Sequence, residues 1–243
     1  MEFANLKSIQ LNKPETWQDK IFLTFDIDWA SDEVLNFTID ILEESKAKAT
    51  FFCTHETKVL DRVRKNPDFE IAVHPNFNFL LNGDHRYGSN VKEVAQYYMD
   101  IVPESVTLRS HSLTQNSQIL EVFCDLGIRS DCNLLIPLEA GETKPFLYSN
   151  NRLLRIPYIW EDDTAILYRN STKVTDYLQH DGLKVFDFHP IHVFLNTETL
   201  DRYNRCRKHL QNYTELKSFV NHESFGTQNF FKNLIQQSKL VTL

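Results

Sequence analysis

Short apolar runs alternate with longer amphipathic stretches along this chain, the pattern of strands interleaved with helices. Ile21–Asp26 is an apolar run that ends in a carboxylate. Ala49–Cys53, Phe69–Val73, Val106–Leu108, Ile128–Ser130, Leu153–Ile156 and Leu183–Phe188 are further candidate strands. Between them, Ser31 stands where it would cap a helix carrying Val34, Leu35, Ile41 and Leu42 on one side. A second helix fits near Lys58–Lys65, and Asn90 with Glu93 makes a capping-box-like start for one through Met99. Asn116–Leu126 reads as a helix stopped by Gly127, and the tail as helices around Leu200–Val220 and Thr227–Gln237. About seven strands alternating with helices predict an α/β fold with a parallel sheet, closed or nearly closed into a distorted (β/α) barrel. No repeat, low-complexity tract or Pro/Gly-rich linker divides the 243 residues, so one domain is expected, with a helical extension from about residue 197.

In such folds the reactive groups lie at the carboxyl ends of the strands. Asp26 and Asp28 follow the first long strand, His55 the second, His74 the third, Arg109 and His111 the fourth, and His189 the last. Asp26 and Asp28 suit a general base beside a metal ligand, or equally a helix cap and a solvated turn residue. Pro75 suits the start of a helical turn, which would put Asn78 on the same side as His74 in the i, i+4 relation of paired ligands. Arg109 could orient a neighbouring carboxylate through a fork of hydrogen bonds or form a plain structural ion pair. Alternation in Phe186–His189 turns Asp187 and His189 to one side, where a histidine suits a general acid.

The formal net charge of −7 argues against a nucleic-acid partner, and the basic residues Arg202, Arg205, Arg207 and Lys208 read as a solvated helix face. Cys53, Cys124, Cys132 and Cys206 are widely spaced, which predicts buried thiols rather than a disulfide framework or zinc cluster. No apolar stretch approaches the ~20 residues of a membrane span, and Met1–Lys20 carries no apolar leader. A cytoplasmic setting is therefore the expectation.

Ile21–Asp28 followed by Ala49-Thr50-Phe51-Phe52, then Glu70–His74, Arg109, Leu126-Gly127-Ile128 through Asp131-Cys132-Asn133, and Phe186–His189 resemble the successive motifs of polysaccharide deacetylases. These are the enzymes with the NodB-homology fold of carbohydrate esterase family 4. The resemblance implies a metal-dependent hydrolase that removes an acetyl group from a sugar. It makes Asp26 the general base, Arg109 its partner, His189 the general acid, and Asp28 and His74 ligands of a divalent ion, zinc by preference. Asn78 falls where most members carry a third, histidine ligand; His55, His111 and His192 are the alternatives. Trp160 and Asp162 (or Asp163) fall where the family places a tryptophan wall and an acid-orienting aspartate, and Trp160, Asp162 and His111 are expected to line the substrate. A nucleotide- or lipid-linked carbohydrate precursor fits the expected compartment. A deformylase or ring-amide hydrolase, and a carbohydrate-binding relative without turnover, are the alternative functions.

Overall fold

The computed structural model describes residues 1–148 and 151–240. Its strands are β1 (Glu2–Phe3), β2 (Lys20–Asp26), β3 (Ala49–Cys53), β4 (Phe69–Val73), β5 (Thr107–Leu108), β6 (Ser130–Asp131), β7 (Phe146–Leu147), β8 (Leu154–Arg155), β9 (Trp160–Glu161) and β10 (Lys184–Phe188). They form one sheet in the order β7-β8-β6-β5-β4-β3-β2-β10-β9, with β1 also on β2. All neighbours are parallel except β7 and β8. The sheet curls into a half-barrel of the distorted NodB-like kind. All seven expected strands are present, and the three additional ones have two residues each, too few to show a period in sequence.

Alternation along the strands divides the apolar residues into two layers. Ile21, Leu23 and Phe25 of β2 join Phe51, Phe186 and Phe188 in the larger outer core, under the helices. Phe22, Phe52, Ala72, Cys132, Tyr158 and Val185 fill the smaller concave side. Thr24, Asp26 and Asp187 alternate with these concave residues and are equally buried. The polar positions of β2 and β10 therefore face the inside of the curl.

The helix Asp32–Ser45 follows β2, with Asp32 and Glu33 in its first turn, where carboxylates favour the positive end of the helix dipole. Ser31 occupies the N-cap position, but its side chain makes no capping bond. Asn90 does cap, accepting from the Glu93 backbone N–H at 3.0 Å, and Asn116 accepts from Ile119 at 2.9 Å. The expected helical turn from His74 to Asn78 does not form. Asn76 Oδ1 accepts the Asn78 N–H at 2.9 Å, a turn that delays the helix, so it runs Asn78–Leu81 and His74 lies outside it. The first tail helix is also broken, into Leu200–Cys206 and Tyr213–Leu216, the second restarted by an Asn212 cap on Glu215. The helix Thr227–Leu240 packs its aromatics on the outer core, Phe231 against Phe25 at 5.6 Å and Phe230 flat on Trp160 at 4.3 Å. All four cysteines are free and buried, as expected.

Candidate active site

Parallel register brings the strand ends together. Asp187 on β10 lies opposite Thr24 on β2, and Val73 on β4 opposite Leu108 on β5. Beyond β2 the chain turns sharply, with Ala30 N–H bonded to the Ile27 carbonyl at 2.8 Å. Asp28 and Trp29 both take left-handed backbone, φ 37° and 55°. Such conformations in residues other than glycine cost roughly 1–3 kcal/mol each and persist where the surroundings hold them. Here the Trp29 N–H donates to Thr54 Oγ1 at 3.1 Å, and the turn aims the Asp28 carboxylate back over the strand ends.

Arg109 fills the middle of the concave side, fully buried between the Phe52 ring at 4.3 Å and the Tyr158 ring at 4.6 Å. Its guanidinium donates to Asp26 Oδ1 (2.9 Å), to Asp187, to Thr24 Oγ1 (3.0 Å) and to the Cys132 carbonyl (3.0 Å). Two carboxyls thus share one cation. Burial pushes the Asp187 carboxyl well above the usual carboxylate range, against the pull of Arg109 and with added repulsion from Asp26. Arg109 orients the Asp26 carboxylate, with Oδ1 on the guanidinium and Oδ2 toward His74.

Asp28, His74 and His111 offer ligand atoms that lie within 4.8 Å of one another. His74 Nδ1 is 2.8 Å from the Arg109 carbonyl, which can only accept, so Nδ1 carries the hydrogen. Its Nε2 then points at Asp28 Oδ1, 3.3 Å away, and at Asp26 Oδ2, 3.4 Å away. His111 Nδ1 is 3.2 Å from the same Asp28 oxygen. Neither His74 Nε2 nor Asp28 Oδ1 completes a hydrogen bond, although both are buried. Such orphaned buried atoms are costly unless a further partner joins them. A carboxylate and two imidazoles held by fixed backbone contacts are also a donor set suited to zinc. The residues fit a divalent ion. Burial raises the Asp28 carboxyl, but the two imidazoles beside it hold it well below its usual range.

Two neighbouring clusters fit an ion less well. His189 Nδ1 is taken by Asp162 Oδ1 at 2.7 Å and its backbone N–H by Asp162 Oδ2 at 2.8 Å, so the Asp162–His189–His192 group has both carboxylate oxygens engaged. In the Asp26–Asp187–His189 group, Arg109 already supplies the cation. Against the effect of burial, the Asp162 carboxylate raises the His189 imidazole well above its usual range. His189 Nε2 is left facing Asp28 Oδ2 at 3.5 Å.

A family model for WbmS-like polysaccharide deacetylases matches residues 23–207. The chain belongs to this polysaccharide deacetylase family. Its members are deacetylases of sugar substrates. A crystal structure of the Bordetella bronchiseptica protein WbmS, provisionally a polysaccharide deacetylase involved in O-antigen biosynthesis, is 43% identical to this chain. The match covers 98% of both chains with a TM-score of 0.92. A Mycobacterium smegmatis structure, also provisionally a polysaccharide deacetylase, is 14% identical over 100% of this chain and 96% of its own, at a TM-score of 0.47. A search of curated protein sequences gave no match.

In this WbmS-like deacetylase, the residues expected at the site divide into three groups. Asp26, Asp28, His74, Arg109 and His189 are brought together, and Asp162 backs His189. His111, expected beside the substrate or as an alternative ligand, shares Asp28 with His74. Asn78, His55, His192 and Trp160 make other contacts. The Asn78 amide nitrogen donates to Ser112 Oγ at 3.1 Å, His55 pairs with Thr54, and Trp160 is buried in the outer core against Phe230. Tyr158 covers Arg109. A cavity of about 290 Å³ lies behind Trp160 and Asp162, and His189 engages both Asp162 oxygens. Sequence reasoning missed Glu161 and Asp163 as an interacting acid pair. Burial, and then Asp163, raise the Glu161 carboxyl to about 8, and it accepts from Tyr158 Oη at 2.5 Å. Glu161 ends β9 and Asp163 lies in the first turn of the helix Asp162–Tyr168, so no single period in the sequence pairs them. Among the described residues no helix is long and apolar enough to cross a membrane.

Proposed function

We propose that the protein is a metal-dependent hydrolase that removes the acetyl group from an N-acetylated sugar, with Asp28, His74 and His111 holding the ion. The observation that carries this reading is the pair of buried, unbonded atoms His74 Nε2 and Asp28 Oδ1, 3.3 Å apart, with His111 on the same oxygen. A divalent ion bound there, zinc by preference, would supply Lewis-acid polarisation of the acetyl carbonyl and lower the pKa of a water molecule.

The chain's own groups do the proton work. Asp26 has Oδ1 fixed by Arg109, which leaves Oδ2 to accept a proton from the attacking water. His189 has its Nδ1 hydrogen committed to Asp162, so the Nε2 hydrogen is the one available to the departing nitrogen. Attack and departure leave acetate and a free amine. The base and the acid thus stand on separate anchors, Arg109 and Asp162. The involvement of the WbmS relative in O-antigen biosynthesis supports a bacterial surface-polysaccharide sugar, nucleotide- or lipid-linked, as the substrate.

Zinc titration by calorimetry tests the ligand set. His74→Ala and His111→Ala are each expected to weaken zinc binding by more than about 100-fold, the upper end of what loss of an outer partner costs. Asn78→Ala should leave the isotherm nearly unchanged. Undiminished binding in His111→Ala, with loss in Asn78→Ala, would return the third position to Asn78. An acetate-release screen over acetylated sugars with the zinc-loaded protein tests the reaction, and no release from any of them would refute it.

A further inference from the structure

Resting on the hydrolytic reading above, we infer that the site takes only an acetylated sugar joined to the rest of its molecule at one position, and not a residue inside a polysaccharide chain. Strand-end sites start as open clefts, and here the tail closes the cleft into a pocket. Asp28 and His189 reach the pocket from the strand ends, Trp29 and Asp163 flank them, and Tyr203 and Leu210 come from the tail. Gln211 Nε2 then donates to the Trp29 carbonyl at 2.8 Å, so the wall that begins at Trp29 ends on Trp29. That wall is anchored throughout. The Trp29 ring meets His111 edge-on at 5.3 Å, and Tyr203 packs on His192 at 5.1 Å, whose Nδ1 lies 3.0 Å from Thr197 Oγ1.

The pocket's volume is about 110 Å³. Sites for whole small molecules run to roughly 300–1,000 Å³. The pocket has room for an acetamido group and the edge of its ring rather than for several sugars. An interior residue must send its chain out in two directions, and the wall of Tyr203, Leu210 and Gln211 blocks the one on the tail side. Trp29 and Tyr203 are suited to the apolar faces of a single sugar. Leu210 and Gln211, which complete this wall, lie beyond residue 207, where the family match ends. Free, phosphate-linked and chain-terminal acetylated sugars share the required chemistry.

Two glucosamine tetrasaccharides separate the cases, one acetylated only at a terminal residue and the other only at an interior one. N-acetylglucosamine and its 1-phosphate serve as monomeric probes. Acetate release and calorimetric binding are measured with the zinc-loaded protein. The terminal and monomeric probes are expected to bind and react, with the interior probe at least tenfold weaker in both. A preference for the phosphate-linked monomer identifies a carrier-linked precursor, whereas equal handling of monomer and terminal tetramer identifies chain ends; both support the inference. Equal treatment of the interior and terminal probes overturns it, and so does a failure to bind any of the four. Selective binding of the terminal and monomeric probes without acetate release would leave the inference standing and refute hydrolysis instead. In the Leu210→Ala, Gln211→Ala double variant the preference for terminal over interior acetyl should fall at least tenfold, and an unchanged preference also overturns the inference.

Discussion

Asp162→Asn is expected to lower the rate of acetate release by roughly 10²–10⁴-fold, the range set by losing a general acid, with little change in melting temperature. Asp162 touches no reacting atom. It acts through His189, accepting from both the ring Nδ1 and the backbone N–H. Its carboxylate is also what raises the buried imidazole well above its usual range. The acid must carry its proton to work, so activity should fall as pH rises through the His189 pKa. Removing the charge lowers that pKa, and the alkaline limb of the kcat/KM profile should move to lower pH in Asp162→Asn. An amide at 162 can also donate to Nδ1 and select the wrong tautomer, which strands the proton on the side away from substrate. A variant with a normal rate and an unmoved alkaline limb would remove Asp162 and His189 from the acid role.

Arg109→Met should destabilise the protein by about 3–5 kcal/mol, the usual cost of leaving one member of a buried ion pair alone. At about 2–4 °C per kcal/mol for a chain of this size, the melting temperature would drop by roughly 6–20 °C. The cause is specific. Asp26 and Asp187 are both buried on the concave side, and Arg109 is the cation that reaches them. Arg109→Lys keeps the charge but loses the fork that also reaches Thr24 and Cys132, and the flat face held between Phe52 and Tyr158. Less than half of the lost stability should return with lysine. Thermal melts of the two variants would refute this account if both matched the wild type.

The placement of Asp26 and His189 at the site was largely legible in the sequence. Asp26 and His189 end apolar runs, and a carboxylate or imidazole at the carboxyl end of a buried parallel strand has few places to go except into the site. Arg109 was legible for the same reason. The closeness of His111 to Asp28 was not. The expectation at Asn78 rested on a helical turn starting at Pro75, and the Asn76 side chain delays that turn by accepting the Asn78 N–H. His111 was visible as a histidine past a strand end. Its proximity to Asp28 depends on register and on its own N–H bonding the Pro75 carbonyl at 2.9 Å, neither of which leaves a local signature.

Trp160 illustrates the opposite error. Motif order puts it beside the catalytic acid, but strand alternation turns its indole outward while Glu161 comes inward. A two-residue strand such as β9 is too short for its phase to be read from sequence, and the direction follows only once Glu161 is paired opposite Asp187.

The sequence alone determined the strand and helix order, the polar groups at the strand ends and the family, because apolar periodicity and motif spacing are local properties of the chain. The tertiary structure decided which side chains share an atom. Asp28 meets His74 and His111 through the left-handed turn at residues 28 and 29, and Gln211 reaches Trp29 across 182 residues of chain. Such contacts depend on packing between distant segments, and their free energy is shared among many weak interactions rather than carried by any one stretch of sequence.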